Sequence, residues 1–186
     1  INKLLKCSIN TQTRGNAYEI AFGTPFLGQI FKNWFGERAV FKKVPWFIFG
    51  ASEEQKLSFL GAYINGDGGI DKGTKHSRIR IKTASKKLAS DLLYLFSSVG
   101  ITAHFDHIEY SPARLIGKYK LKPTHSYVIR IQGQDYIKKL LPYLSKKFQD
   151  YFRAYYASDQ RVVDTQTHSP EALPVLEINL LEEVIP

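Results

Sequence analysis

Asp67 stands near the end of the run Phe59-Leu60-Gly61-Ala62-Tyr63-Ile64-Asn65-Gly66-Asp67-Gly68-Gly69, whose residue types suit chemistry better than stability. The residues ahead of it have helical spacing, and Gly68-Gly69 must stop the helix, so Asp67 belongs to the last turn. There its charge faces the negative end of the helix dipole, which costs roughly 0.3–1 kcal/mol. A cation bound beside it reverses that sign. Hard divalent ions take oxygen donors, and a helix end offers both a carboxylate and backbone carbonyls. Asp67 and the Gly66 carbonyl are therefore the candidate metal ligands. An isolated Asp-Gly is more simply read as an ordinary turn, so the surroundings decide between the two.

The element that must position Asp67 begins well. Ser52 can cap, Gln55 completes a capping box, and Glu53 and Glu54 suit the positive end of the dipole. Leu57, Leu60 and Ile64 recur at helical spacing, which predicts a helix over 53–66. Ala62 and Gly66 share one face of it, and Gly61 and Asn65 share another. So bare a surface admits a second helix at backbone distance, with Gly61, Ala62 and Gly66 as the expected interface. In this, LGAYINGDG (Leu60 to Gly68) resembles the motif of the LAGLIDADG homing endonucleases, the dodecapeptide (DOD) type often found inside inteins. The small residues stand in swapped order, and Asn65 replaces the acid the family often has there. The family's ligand is generally the second acid, which Asp67 retains.

The resemblance extends to Lys42-Lys43-Val44-Pro45, ahead of the helix. Intein endonucleases carry a similar Lys-x-hydrophobic-Pro segment whose first lysine belongs to the active site, which implies a catalytic role for Lys42. A further lysine near the strand entering the last helix of each unit points to Lys122 or Lys120. The chemistry needs such groups, because phosphodiester hydrolysis builds negative charge that a cation or a lysine-polarised water offsets. The implied reaction is metal-assisted hydrolysis of both DNA strands. Two acids from paired motif helices hold Mg²⁺ (or Mn²⁺) across the minor groove, and the products carry short 3′ overhangs.

Composition agrees with a polyanionic partner. The net charge is +9, and residues from 157 onward hold one base and six acids, so that −5 tail leaves +14 on residues 1–156. Such a balance is the footprint of a nucleic-acid-binding protein. A membrane surface is the weaker reading, since no apolar run approaches the ~18 residues of a span and no signal peptide is evident. The single Cys7 allows no internal disulfide and is expected to be a small core residue of an intracellular, reducing compartment. The five histidines have no convincing zinc spacing. With no methionine and Ile1 in first place, the chain reads as an excised segment, a processed piece or a fragment.

Along the chain, a strand is expected to begin over 70–75. SRIRIKT alternates, with Ile79 and Ile81 inward and Arg78, Arg80 and Lys82 outward. Ser85 caps a helix with Leu88, Leu92, Leu95, Phe96 and Val99 as its stripe, and Gly100 closes it. Strands follow over 101–110, with Ile101, Ala103 and Phe105 inward, and over 126–132, with Tyr127, Ile129 and Ile131 inward. Asp135 opens a final helix that Pro142 should kink. The order helix, two strands, helix, two strands, helix is α+β, an antiparallel sheet covered by helices on one face, as the LAGLIDADG fold requires. Residues 1–45 read as the second half of a preceding unit, residues 46–156 as a complete one, and residues 157–186 as an acidic tail or linker.

Arg78, Arg80, Lys82, Arg130 and Gln132 would then face DNA from the saddle of the sheet, with arginine suited to guanine and glutamine to adenine. Lys86 would touch the DNA backbone, and Lys120 is a further DNA-contacting candidate. The expected partners are duplex DNA with a long recognition site, together with a first motif in cis or a second copy in trans. Two other readings stay open: a LAGLIDADG module that binds DNA or an RNA intron without cutting, and a single-motif homodimeric endonuclease.

Overall fold

A computed structural model describes residues 9–14, 17–22, 25–72, 77–116 and 119–158. The expectations for Cys7, His76 and the acidic tail beyond Ser158 lie outside these residues. The chain opens with an antiparallel hairpin, β1 (Ile9–Arg14) and β2 (Ala17–Phe22), with Ile9 opposite Phe22. Helix α1 (Pro25–Phe35) follows and ends at Gly36, whose φ of +83° suits glycine. A 3-10 turn (Ala39–Phe41) and the one-turn helix α2 (Trp46–Phe49) lead to the long helix α3 (Glu53–Asp67).

Helix α3 starts as its sequence demands. Ser52 accepts from the Gln55 amide and the Gln55 side chain accepts from the Ser52 amide, a complete capping box. Its end is abrupt: β3 (Gly68–Lys72) begins at the next residue. A side chain at Gly68 would meet the Ile64 carbonyl oxygen at 2.5 Å, so this direct passage from helix to strand requires glycine.

The strands β3, β4 (Ser77–Thr83), β8 (Thr124–Ile131) and β5 (Ala103–Ser111) form one antiparallel sheet in that spatial order. Ile79 stands opposite Ile131 and Ile81 opposite Ile129. These residues are fully buried beneath α3, α4 (Lys86–Ser98), α5 (Gln134–Leu140) and α6 (Lys146–Ser158). The helices contribute Leu60 and Ile64, Leu92, Leu95 and Phe96, Ile137 and Leu140, and Phe152. The alternation in SRIRIKT thus becomes strict burial on one face and partial exposure on the other.

Two expectations are corrected. The strand expected over 70–75 begins two residues earlier, at Gly68, because the helix passes into it without a turn, and residues 73–75 lie outside the described ones. Phe105, expected inward, is 48% exposed. It lies opposite Ile129 on β5, an edge of the sheet, with its ring against Tyr127. The 111–124 loop contains a second small hairpin, β6 (Arg114–Ile116) and β7 (Tyr119–Leu121). The kink at Pro142 takes the form of a 3-10 turn, Leu141–Tyr143, that separates α5 from α6. Gln149 donates to the Leu144 carbonyl and also to the Leu141 carbonyl, which accepts the Leu144 amide as well. Among the described residues no helix is long and apolar enough to cross a membrane.

Candidate functional site

Asp67 stands where α3 enters the sheet, half-exposed. The Lys42 ammonium lies 3.8 Å from its Oδ2 and is equally exposed. Three hydrogen bonds fasten the lysine's strand of backbone. The Ser85 hydroxyl donates to the Lys42 carbonyl at 2.6 Å, and the Lys43 amide donates to the Phe35 carbonyl at 2.9 Å. The Val44 amide donates to Asp91 Oδ2 at 3.1 Å. Val44 and Pro45 are buried, so the hydrophobic-Pro pair anchors the segment while Lys42 projects from it. Ser85 also accepts the Leu88 amide as the cap of α4, which ties the lysine to the start of that helix.

Two concavities meet at Asp67. One, of about 500 Å³, is mostly apolar and lies along α3, lined by Phe35, Arg38, Lys42, Phe59, Ala62 and Tyr63 among others. The second, of about 260 Å³, opens on the sheet and is lined by Gly68, Gly69, Ile70, Asp71, Arg80 and Lys82. Tyr63 stands one turn before Asp67. Burial, and secondarily the Asp67 charge, pushes its phenol up to about 12. It therefore stays neutral, with its hydroxyl buried beside Thr83 and Asp67.

The small residues divide. Ala62 and Gly66 are exposed, and a Cβ on Gly66 would meet nothing within 4 Å. Gly61 points the other way: a Cβ there would lie 2.5 Å from Tyr143 Cβ and 2.7 Å from its carbonyl oxygen. This corrects the expectation that Gly61 faces a second motif helix, because its closest packing is against its own chain. Asn65 shares that side, donating to the Tyr143 carbonyl at 3.1 Å and accepting from the Ser145 amide at 2.7 Å.

The outer face of the sheet carries the basic residues the alternation assigned to it, but they arrive paired. Glu109 of β5 accepts from Arg80 at 2.5 Å and from Lys82 at 2.7 Å. Arg130 of β8 meets Asp106 of β5 at 2.5 Å and Asp71 of β3 at 3.2 Å. Arg78 is partly buried opposite Asp71, and Gln132 is exposed just past β8. Lys82 and Arg80 hold the Glu109 carboxyl below its ordinary pKa. Sequence reading missed Asp71, Asp106 and Glu109. Alternation places Asp71 and Asp106 outward, but it would turn Glu109 inward; the bulge between Phe105 and His107 is what brings Glu109 to the outer face.

The remaining candidates lie apart. Lys122 is exposed just before β8 and lines neither concavity at Asp67. Lys120 belongs to β7, in the hairpin separate from the main sheet. Lys86 is exposed at the start of α4. Among the described residues no three His, Cys, Asp or Glu side chains converge. The donors at hand, the Asp67 carboxylate and helix-end carbonyls such as that of Gly66, are hard oxygen donors that suit Mg²⁺ or Mn²⁺. They make only part of a shell.

Comparison with known proteins agrees with this architecture. The model of the LAGLIDADG-like domain matches residues 54–144. An uncharacterized protein of Methanocaldococcus jannaschii is 32% identical over 143 residues, which cover 74% of this chain and 15% of that protein. The DNA polymerase of Thermococcus kodakarensis is 36% identical over 74 residues, covering 40% of this chain and 4% of the polymerase. That of Thermococcus aggregans is 38% identical over 68 residues, covering 37% and 4%. The matches thus involve only a small part of each relative's length. The matched segment runs from the motif helix through the four-stranded sheet to the α5–α6 joint, and residues 54–144 thus form a LAGLIDADG-like domain.

Proposed function

We propose that this chain is part of a site-specific endonuclease that hydrolyses both strands of DNA with a divalent metal. The observation that carries the reading is the Lys42–Asp67 pair, held 3.8 Å apart where a bare helix face meets a basic sheet face. Asp67 and the Gly66 carbonyl would hold Mg²⁺ or Mn²⁺, which when bound offsets charge on the scissile phosphate. Lys42 polarises the attacking water or neutralises the developing oxyanion. Tyr63, kept neutral, shields one side of the Asp67 carboxylate from solvent. The outer sheet face, with Arg78, Arg80, Lys82, Arg130 and Gln132, receives the duplex.

One carboxylate leaves the metal shell incomplete. The Ala62–Gly66 face and the apolar concavity beside it suit a second motif helix that brings the other acid. Residues 9–36, a hairpin followed by α1, fit the closing half of the unit that would carry that helix in cis. A second copy in trans is the alternative arrangement. Similarity to DNA polymerases over about 4% of their length is what an inserted, intein-borne element would give.

A module that binds without cutting is the second reading, and the single carboxylate favours it. One experiment separates the two. The protein is incubated with Mg²⁺ and a library of randomised duplexes, and the cut ends are sequenced. Discrete cleavage with short 3′ overhangs, lost in Asp67→Asn and reduced at least ~100-fold in Lys42→Ala, supports the nuclease. Retention of particular library members without cleavage supports the binder.

A further inference from the structure

Residues 1–156 have cations in large excess, yet three carboxylates are gathered on the face that borders Asp67. Asp71 lies on β3, and Asp106 and Glu109 lie on β5, at the two edges of the sheet. Glu109 reaches over the central strand β8 to hold both Arg80 and Lys82 of β4. Arg130, on β8 itself, is held from both edges at once, by Asp71 and Asp106. Together the contacts tie all four strands. Beneath them Val128, opposite Lys82, is fully buried although it lies outside the main core, as the stems of long charged side chains would make it.

Exposed ion pairs contribute little singly and more as a network, so bracing the sheet accounts for only part of this arrangement. Its effect on a polyanion is larger. Affinity for DNA irrespective of sequence comes from cations that meet phosphates and release counterions. A cation already held by a carboxylate must leave that partner first. We propose that Asp71, Asp106 and Glu109 are specificity-determining residues that hold Arg80, Lys82 and Arg130 off DNA phosphates, so that the sheet engages a duplex tightly only where base-edge contacts compensate for the broken pairs. This rests on the reading of the sheet as a DNA-binding face.

The test uses the purified protein and a fluorescent duplex of random sequence in EDTA, with affinity measured from 50 to 200 mM KCl. Glu109→Gln frees two cations. It is expected to bind about tenfold more tightly at 100 mM salt, with a plot of log affinity against log salt steeper by about 1.8. Asp71→Asn with Asp106→Asn frees Arg130 by an independent route and should steepen it by about 0.9. Glu54→Gln, the same charge change at the far end of α3, should leave the slope unchanged. Circular dichroism confirms that each variant is folded. A folded Glu109→Gln protein with the wild-type slope overturns the proposal, and so does a Glu54→Gln effect of equal size. If the unaltered protein binds no duplex even at 50 mM salt, the DNA-binding reading itself is overturned and this one falls with it.

Discussion

Asn65 is hydrogen-bonded to the joint between α5 and α6, donating to the Tyr143 carbonyl while accepting from the Ser145 amide. At the place where the family often has a first acid, this chain has a brace between the motif helix and the break at Pro142. The amide fits because it supplies both a donor and an acceptor. A carboxylate offers only acceptors, and would set its charge against the Tyr143 carbonyl. Asn65→Asp is therefore expected to destabilise the protein by about 1 kcal/mol, and Asn65→Ala by about 1–2 kcal/mol. Urea unfolding checks both.

The two motif glycines should respond oppositely to alanine. Gly61→Ala drives a methyl to 2.5 Å from Tyr143 Cβ and is expected to cost about 1–3 kcal/mol. Gly66→Ala meets open space and should be neutral or stabilise by up to about 1 kcal/mol, through helix propensity. If Gly66 faces a second helix, the same change should impair association or activity while the thermal midpoint holds or rises. Calorimetry together with a cleavage or binding assay reads the contrast.

Asp91 holds the Lys42 strand through the buried Val44 amide and is paired with Lys87. Asp91→Ala leaves that amide without its partner, at an expected cost of about 1–3 kcal/mol. Asp91→Asn keeps an acceptor and should cost less. Lys87→Ala should cost under about 1 kcal/mol, because the lysine is mostly exposed. Denaturant midpoints for the three variants should fall in that order.

Tyr63 gives a pH signature. Its phenol ionises near 10 in an unfolded chain and is pushed up to about 12 here, by burial first and the Asp67 charge second. The folded state keeps the proton longer, so the contribution is fully present below pH ~10 and is lost as pH rises toward 12. Stability should therefore fall with pH through that window, and Tyr63→Phe should flatten part of the fall. Absorbance at the tyrosinate band, followed alongside unfolding, tests it. Tyr156, also raised to about 12 by burial, is a second late-titrating phenol to be separated by its own Phe variant.

Local rules within the sequence determined much of this protein. The Ser52 and Ser85 caps, the alternation of SRIRIKT, the stripe of α4, the stop at Gly68 and the break at Pro142 all depend on neighbours a few residues away. The placing of Asp67 in the last helical turn followed from the same rules. Tertiary structure decided what those rules could not reach. Gly61 and Gly66 are chemically identical, and only packing against Tyr143 turned one inward and left the other bare. Arg80, Lys82 and Arg130 read as free cations along the chain, until β5 brought Glu109 and Asp106 beside them from a strand 24 to 29 residues away. Phe105 keeps its inward register opposite Ile129, yet its place on an edge strand leaves it half-exposed. Periodicity records which side of its own element a residue occupies, whereas burial and charge pairing depend on what the fold sets against that side.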